Sequence, residues 1–157
     1  MAPETVISYT DPTLDRWARF MRTRNLLYKL FTRDLATVGI KPEQLGILNI
    51  LKISKIPVTP SLISRIYHRE PHTISVNLKR LEAKGLISLV KDLERRNMIR
   101  VVITPEGERI WDEGQRKTKN VSKVFTELSQ VETEQLDSIL IKLAEATQKL
   151  GKGLANR

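Results

Sequence analysis

Apolar residues recur at alternating three- and four-residue steps along the first part of the chain. Those between residues 11 and 38 are Leu14, Trp17, Met21, Tyr28, Phe31, Leu35 and Val38, and Phe20 and Leu27 widen the stripe. Such spacing is typical of an amphipathic helix. Asp11 and Pro12 suit a helix start, and Gly39 suits a helix end. The pattern therefore predicts one helix over residues 11–38, with an apolar face broad enough to need several partners.

Three further helices are predicted downstream, each opened by a proline, which fits the first turn of a helix. They cover residues 42–53, 60–67 and 71–84, and Gly85 closes the last of them. The residues of the first expected to face inward are Leu45, Leu48 and either Ile50 or Leu51. Few residues separate the second helix from the third. A short helix, a tight connection and a longer helix have the spacing of a helix-turn-helix.

Two apolar runs follow, "LISLVK" over residues 86–91 and "MIRVVIT" over residues 98–104. The second predicts a half-buried strand, because apolar positions alternate with solvent-facing ones. Its expected apolar face consists of Ile99, Val101 and Ile103. Residues 92–97 join the runs and contain a charged block too polar to pack, which predicts the exposed tip of a hairpin. A hairpin directly after a helix-turn-helix is a wing.

The last part of the chain predicts two more helices, one over residues 105–128 and one from residue 130 onwards. Gly114 is a weak point inside the first, and Ser129 with Glu132 forms a capping box for the second. The apolar residues near heptad spacing in the last helix are Leu136, Leu140, Leu143 and Leu150, with Ile139 and Ala144 beside them. The first helix and the last two helices expose more apolar surface than a small winged domain can cover, which predicts a homodimer.

The net charge of +9 over 157 residues is concentrated in the middle third of the chain. Residues 55–104 contain 10 Lys and Arg against 4 Asp and Glu, whereas residues 1–54 contain 8 against 5 and residues 105–157 contain 9 against 9. This distribution indicates a surface that faces a polyanion such as nucleic acid. The alternative is a basic surface that only aids solubility.

Several classes of chemistry are excluded by what the sequence lacks. It has no cysteine, so disulfides, thiol nucleophiles and cysteine zinc sites are excluded. The start "MAPETVISYT" does not read as a leader, and no apolar run approaches the roughly 20 residues that span a bilayer, so a cytoplasmic location and no membrane partner are expected. The sequence contains no phosphate loop, nucleophile elbow or paired histidine and carboxylate pattern. We therefore expect no enzyme activity and no cofactor.

A metal site is not expected either. His68 and His72 are four residues apart, a spacing that binds metal on a continuous helix. Pro71 stands between them at a helix start, so turn and contact residues are the simpler interpretation.

Three stretches, "KPEQLGILNIL", "HTISVNLKRLEAKGLI" and "KDLERRNMIRVVITPEG", follow one another in a fixed register. The most specific features are the run "LEAKGL" and Asp92, twelve residues before Thr104. Over nearly its whole length the chain resembles the multiple antibiotic resistance regulator (MarR) family. The resemblance implies a mainly α fold with a small β-hairpin, in which residues 41–104 form a winged helix-turn-helix between dimerisation helices over residues 1–40 and 105–157. It also implies a dimeric repressor of a palindromic double-stranded DNA operator, relieved by a small-molecule effector.

In the helix over residues 71–84, the residues expected to contact DNA are identified by their angular positions around the helix axis. Ile74, Leu78 and Leu81 share one face and should be core. The opposite face and its flanks should meet DNA, because the N-terminal half of a recognition helix enters the major groove. The expected major-groove residues are His72, Thr73, Ser75, Val76 and Lys79, and the expected backbone contacts are Ser61, Arg65 and Arg80. An ordinary exposed helix face is the alternative for each polar residue.

The predicted wing departs from the family pattern D-x-R-D-x-R, because Asp92 is followed here by Glu94, Arg95 and Asn97. The expected minor-groove contacts are Arg95, Arg96 and Asn97, since arginine at a wing tip can use the negative potential of a narrow groove. Which arginine enters the groove is left open. The alternatives are a solvated loop and, for the whole chain, a winged-helix protein-interaction module or anti-repressor with weak nonspecific DNA binding.

Four aromatic residues are candidates for an effector pocket: Trp17, Phe20 and Tyr28 in the first predicted helix, and Trp111 later in the chain. The family resemblance places an effector site between the dimer helices and the winged domain. These residues would then line an apolar pocket for a small aromatic effector. Packing in the core or in the dimer seam is the alternative.

Overall fold

A computed structural model of the chain describes residues 9–91 and 98–155, the last four of these by their backbone. The described residues form seven helices and one two-stranded sheet. In chain order they are α1 Pro12–Asp34, α2 Pro42–Ile53, α3 Pro60–Tyr67, α4 Pro71–Ala83, β1 Ile87–Lys91, β2 Ile99–Ile103, α5 Pro105–Lys117, α6 Lys119–Thr126 and α7 Gln130–Ala155. The predicted mainly α fold with one hairpin is confirmed. No helix in the described part of the chain is long and apolar enough to cross a membrane.

The chain divides into two compact units, the first ending at Lys119 and the second beginning at Asn120. The first unit thus contains α1 and α5 together with the helix-turn-helix and the hairpin. The three-part division expected from the sequence, which assigns α1 and α5 to separate dimerisation segments, stays a prediction.

The helix starts follow from local chemistry. The Thr59 hydroxyl accepts the backbone N–H of Leu62 at 3.2 Å at the start of α3, and the Thr104 hydroxyl accepts the N–H of Gly107 at 3.0 Å at the start of α5. Each threonine precedes a proline at the first helical position. An N–H at that position has no partner within the helix, so proline, which lacks an N–H, costs no hydrogen bond there. The predicted starts of α2, α3, α4 and α5 are confirmed.

The first helix is shorter than predicted, because α1 ends at Asp34 rather than at Val38. Residues 35–39 form turns, and Gly39 closes them with a left-handed φ of 73° and an N–H bond of 3.2 Å to the Leu35 carbonyl. The turns direct Leu35 and Val38 into the core. Burial of these two side chains therefore prevails over continuation of the helix.

The core lies in the first unit, where α2 and α4 supply much of it. Ile74, Leu78 and Leu81 of α4 are buried, as predicted. In α2 the pattern identified Leu45 and Leu48 but not Ile47, which is also buried. The buried apolar residues are Leu35, Val38, Ile40, Leu45, Ile47, Leu48, Val58, Ile63, Ile74, Leu78, Leu81, Leu86, Ile87, Val101 and Ile110.

The two strands form an antiparallel hairpin in register from Ile87 opposite Ile103 to Lys91 opposite Ile99. Val101 is buried and its N–H donates to the Val58 carbonyl at 2.8 Å, which attaches the segment before α3 to the second edge of β2. Ile99 was expected on the buried face, but it is 42% exposed. It lies at the outer end of the hairpin, beyond the part that covers the core.

The helix predicted over residues 105–128 is broken at Thr118, not at Gly114. Gly114 is buried inside α5, and a Cβ there would come within 2.7 Å of Leu45 Cδ1. The glycine allows close packing of α5 on α2, so the expectation of a weak point was wrong. The predicted capping box before α7 is confirmed: the Ser129 N–H donates to Glu132 Oε2 at 2.8 Å, and the Glu132 N–H donates to Ser129 Oγ at 3.3 Å.

Candidate nucleic-acid interface

The connection between α3 and α4 turns on His68, whose φ of 48° and ψ of 45° are left-handed. Within residues 9–91 and 98–155 it is the only non-glycine residue with positive φ. The His68 N–H donates to the Arg65 carbonyl at 3.3 Å, and the Arg69 N–H donates to the Ser64 carbonyl at 3.1 Å. This pair of bonds is a Schellman motif with histidine where glycine is usual. A left-handed non-glycine residue costs about 1–2 kcal/mol. The Ser64 hydroxyl, which donates to the Arg69 carbonyl, helps to hold the turn.

Beyond this turn, α4 presents two faces of opposite character. The face predicted to be core is buried, and the predicted major-groove residues lie on the other side. Exposed there are His72, Thr73, Ser75, Lys79 and Arg80, with Val76 half-buried. The helix thus brings all of the predicted α4 contacts onto one surface, with an apolar spot at Val76 among polar groups.

The preceding helix adds two of the predicted backbone contacts, since Ser61 and Arg65 of α3 are both exposed. Arg69, in the connection between the helices, is exposed as well. The sequence pattern did not single out Arg69, although its charge and its place in a tight turn were the available signal. A phosphate backbone crossing this surface would meet cations from α3, from the turn and from α4.

The tip of the hairpin lies outside the described residues, and with it the predicted minor-groove residues Arg95, Arg96 and Asn97. The strands that carry this segment are described up to Lys91 on one side and from Met98 on the other. Lys91 is exposed at the end of β1.

The predicted effector residues Tyr28 and Trp111 each join two helices. The Tyr28 hydroxyl donates to Glu43 Oε2 of α2 at 2.9 Å. Indole Nε1 of Trp111 in α5 donates to Asn49 Oδ1 of α2 at 3.1 Å, and Lys52 Nζ lies 5.9 Å from the centroid of the Trp111 ring. Both aromatic residues therefore have a structural role in the first unit.

The other two predicted effector residues lie on an open face of α1. Trp17 is 59% exposed and Phe20 is 50% exposed. No hydrogen bond or ring contact between these two and the Tyr28 or Trp111 side chains is seen among the described residues. An open apolar face on a long helix suits a partner surface at least as well as a pocket wall.

Glu43 influences two tyrosines near the helix-turn-helix. The pKa of Tyr28 is raised above its usual value because burial disfavours the phenolate and because the hydroxyl donates to the Glu43 carboxylate. The pKa of Tyr67, the last residue of α3, is also raised, mainly by burial and secondly by the Glu43 charge. Both phenols are therefore held neutral.

No group of three or more His, Cys, Asp or Glu side chains that could hold a metal ion occurs in the described ranges. His68 lies in the turn after α3, whereas His72 lies within α4. The two side chains do not share a continuous helix, which the geometry of an i and i+4 metal pair requires.

A helix-turn-helix followed by a β-hairpin, with its polar residues exposed on the second helix, defines a winged helix-turn-helix fold. No protein-family model and no curated sequence matches the chain, whereas many solved structures match its fold. The organohalide-sensing transcriptional regulator RdhR-CbdbA1625, in its 2,4-dichlorophenol-bound form, superposes with a TM-score of 0.81 at 23% identity, covering 89% of this chain and 83% of that one.

Two further structures are similar. A MarR-family transcriptional regulator from Rhodococcus sp. RHA1 has a TM-score of 0.75 at 17% identity, over 87% of this chain and 96% of that one. MepR of S. aureus, in a DNA complex, has a TM-score of 0.76 at 21% identity, over 82% of this chain and 96% of that one. The chain therefore has the fold of the MarR-family transcriptional regulators, as its sequence led us to expect.

Proposed function

We propose that this protein is a dimeric, sequence-specific DNA-binding transcriptional regulator that represses from a palindromic operator until a small-molecule effector binds. The observation that carries the proposal is the surface formed by α3 and α4. A Schellman turn at His68 connects the two helices, and the candidate DNA contacts in the described part of the chain lie on this surface. The DNA complex of the similarly folded MepR supports this use of the fold.

In the proposed complex, α4 enters the major groove by its N-terminal half. His72, Thr73 and Ser75 would meet base edges there, and Val76 would meet a thymine methyl group. Lys79 lies one turn further along the helix and reaches either a base or a phosphate. Ser61, Arg65 and Arg80 would bind the phosphate backbone, and Arg69 would join them.

The wing would add a second kind of contact. Arg95, Arg96 and Asn97 lie at its tip in the sequence, and we propose that this tip enters the minor groove. The β1–β2 ladder and the bond from Val101 to Val58 support the proposal, because they give the tip a fixed base on the same unit as the reading helix.

The homodimer is proposed from the apolar side chains that the single chain leaves exposed. In α7 these include Leu140 and Leu143, the latter 54% exposed, together with Val131, Ile139, Ile141 and Leu150. In α1 they include Trp17 and Phe20. Soluble monomers rarely leave large apolar surfaces exposed. Two-fold pairing would cover these side chains and place two reading helices about one DNA turn apart.

Effector binding is proposed from the fold and from one structural neighbour. RdhR-CbdbA1625 was determined with 2,4-dichlorophenol bound, which supports a small aromatic effector for this chain as well. Trp17, Phe20, Tyr28 and Trp111 remain the candidate pocket residues. Because Tyr28 and Trp111 already bond within the first unit, such a pocket would use their ring faces and not their polar atoms.

The DNA-binding proposal is tested by measuring affinity for the region upstream of the protein's own gene at two salt concentrations, with specific and scrambled competitors. We expect a palindromic footprint that persists when scrambled competitor DNA is added. Thr73→Ala should reduce the preference for the specific site. Lys79→Gln should reduce the magnitude of the slope of log K against log salt by about 2, one phosphate contact for each protomer of the dimer. Lys142→Gln, an exposed lysine of α7, is the matched control and should change neither. Equal competition by scrambled DNA would instead support the protein-interaction module.

The dimer is tested by light scattering on the full chain. A mass of twice the 18.0 kDa chain is expected, and Leu143→Asp should shift it towards the monomer because a carboxylate would be buried at the seam. Ser138→Asp introduces the same side chain at a polar exposed position of α7 and should leave the dimer intact. A wild-type monomer would contradict the proposal.

A further inference from the structure

The outward face of the β-hairpin carries apolar side chains where polar ones are usual. Val90 pairs with Arg100 and Ser88 pairs with Val102 across the two strands, so these four side chains share one face. That face is turned away from the core, because Val101 on the other face is buried. The solvent face of an antiparallel sheet is normally polar, yet both valines on this one are exposed. Such side chains often mark a surface that binds another protein.

The segment before α3 adds a third apolar side chain next to β2. Ile56 is 62% exposed and is held by its neighbour Ser54. The Ser54 hydroxyl donates to the Ile56 carbonyl at 2.9 Å and accepts the Ile56 N–H at 3.3 Å. The bond from the Val101 N–H to the Val58 carbonyl attaches the same segment to β2. Ile56 is therefore presented to solvent by backbone that hydrogen bonds hold on both sides.

A cavity of about 220 Å³ opens between this segment and β2. Its lining includes Ile56, Pro57, Arg100 and Val102, and no carboxylate occurs among the described residues that line it. The volume is below the range of about 300–1,000 Å³ that is typical of small-molecule sites. The cavity thus suits one apolar side chain of a larger partner better than it suits a whole ligand.

The backbone and the charges around the cavity identify the kind of partner. Pro57 lacks an N–H and both polar backbone groups of Ile56 bond to Ser54, so this edge offers little for an added strand to pair with. A partner must dock through side chains, as an amphipathic helix does in an apolar groove. Arg100 lines the cavity, and Lys55, next to Ile56 in the chain, is exposed. Cations beside an apolar surface favour a partner that brings carboxylates.

We propose that Ile56, Val90, Arg100 and Val102 form a docking surface, here called the wing patch, for an acidic amphipathic helix of another protein. One apolar side chain of that helix would enter the cavity beside Ile56 and Val102, and another from the next turn would cover Val90. A carboxylate of the helix would bond to the Arg100 guanidinium, which has five N–H donors.

The wing patch shares no residue with the candidate DNA contacts on α3 and α4. The helix and DNA can therefore be bound at once, and a regulator on its operator would bring the partner protein to that site. This consequence depends on the proposed function, whereas binding of the helix to the free protein does not.

The first test measures peptide binding to the full chain by fluorescence anisotropy, without DNA. The probe is a labelled helix-forming peptide of about 18 residues, with leucines along one face and glutamates elsewhere. One control peptide has the same composition in scrambled order, and the other has lysine in place of glutamate. The probe should bind at least about tenfold more tightly than either, since burial of one leucine side chain contributes on the order of a tenfold factor. Equal binding of the scrambled peptide would show attraction to a basic protein alone and would overturn the proposal.

Variants then locate the site, and circular dichroism verifies the fold of each. Ile56→Asp places a carboxylate at the cavity and should weaken binding of the probe by about tenfold or more. Val102→Thr keeps the β-branched shape but loses apolar surface, and should weaken binding by about threefold. Leu26→Asp makes a matched change at a 69% exposed position of α1 and should bind the probe like the wild type. Equal losses in Ile56→Asp and Leu26→Asp would contradict the assignment to the wing patch.

Two more measurements test other occupants of the wing patch. Light scattering should give Ile56→Asp the same mass as the wild type, and a lower mass would mean that the patch pairs with a second copy instead. Unlabelled upstream duplex should leave the probe bound, whereas displacement of the probe would place the helix on the DNA surface and refute a separate site. If the duplex is not bound specifically, the proposed function fails while the peptide result still stands.

Discussion

Gly46 of α2 lies directly beneath Tyr67, the residue that ends α3 and precedes the His68 turn. A Cβ at this position would be 1.8 Å from Tyr67 Oη and 3.0 Å from Cζ, far inside contact distance. The phenol would have to move by more than 1 Å, and overpacking of this kind costs about 1–3 kcal/mol. Alanine regains about 1 kcal/mol of helix propensity over glycine. We therefore expect Gly46→Ala to destabilise the protein by about 1 kcal/mol net.

A double-mutant cycle separates these two effects. Removing the hydroxyl by Tyr67→Phe leaves Cζ as the nearest atom at 3.0 Å, a contact that shifts of a few tenths of an ångström can relieve. In the Tyr67→Phe background, Gly46→Ala should therefore be neutral or stabilising. The coupling energy between the two positions should be about 1–2 kcal/mol, obtained from urea unfolding at a fixed protein concentration because a dimer's stability depends on concentration.

Gly151→Ala is the control for helix propensity, since no described atom lies within 4 Å of a Cβ at this exposed position of α7. It should stabilise the protein by up to about 1 kcal/mol. If Gly46→Ala has the same effect with and without the Tyr67 hydroxyl, the steric explanation is refuted. DNA affinity of Gly46→Ala should fall as well, because a displaced Tyr67 would shift the turn that aims α4.

Two further changes test the hairpin and the last helix. Gly107→Ala places a Cβ 2.0 Å from the backbone carbonyl oxygen of Leu86. A Cβ has no rotamer that avoids the clash, so the backbone must shift, and we expect a loss of about 3 kcal/mol or more in the free energy of unfolding, measured by chemical unfolding. A loss as small as that of an ordinary surface variant would contradict this expectation. The pKa of Glu132 is lowered by its bonds from the Ser129 backbone and hydroxyl, so its contribution to stability is present above the unfolded pKa and is lost as pH falls through the lower folded pKa. Ser129→Ala should raise the Glu132 pKa in an NMR titration, and an unchanged value would show that the capping box does not form in solution.

Much of the first unit could be predicted from the sequence because its signals are local. Threonine and proline at positions 59–60 and 104–105 specify helix starts through bonds made within a few residues. The α4 faces follow from angular spacing alone, and the structure confirms the core face. The exposed positions of His72, Thr73 and Ser75 follow from the same spacing.

The errors arose where packing decides. The end of α1 depends on burial of Leu35 and Val38, which a helical period cannot distinguish from continuation of the helix. Gly114 was interpreted from its backbone freedom, but its role is to let Leu45 approach. A cleft lined by Lys41 and Lys84 could not be predicted either, because these residues are far apart in sequence and come together only through the fold. Only the three-dimensional structure shows that these two lysines line one cleft.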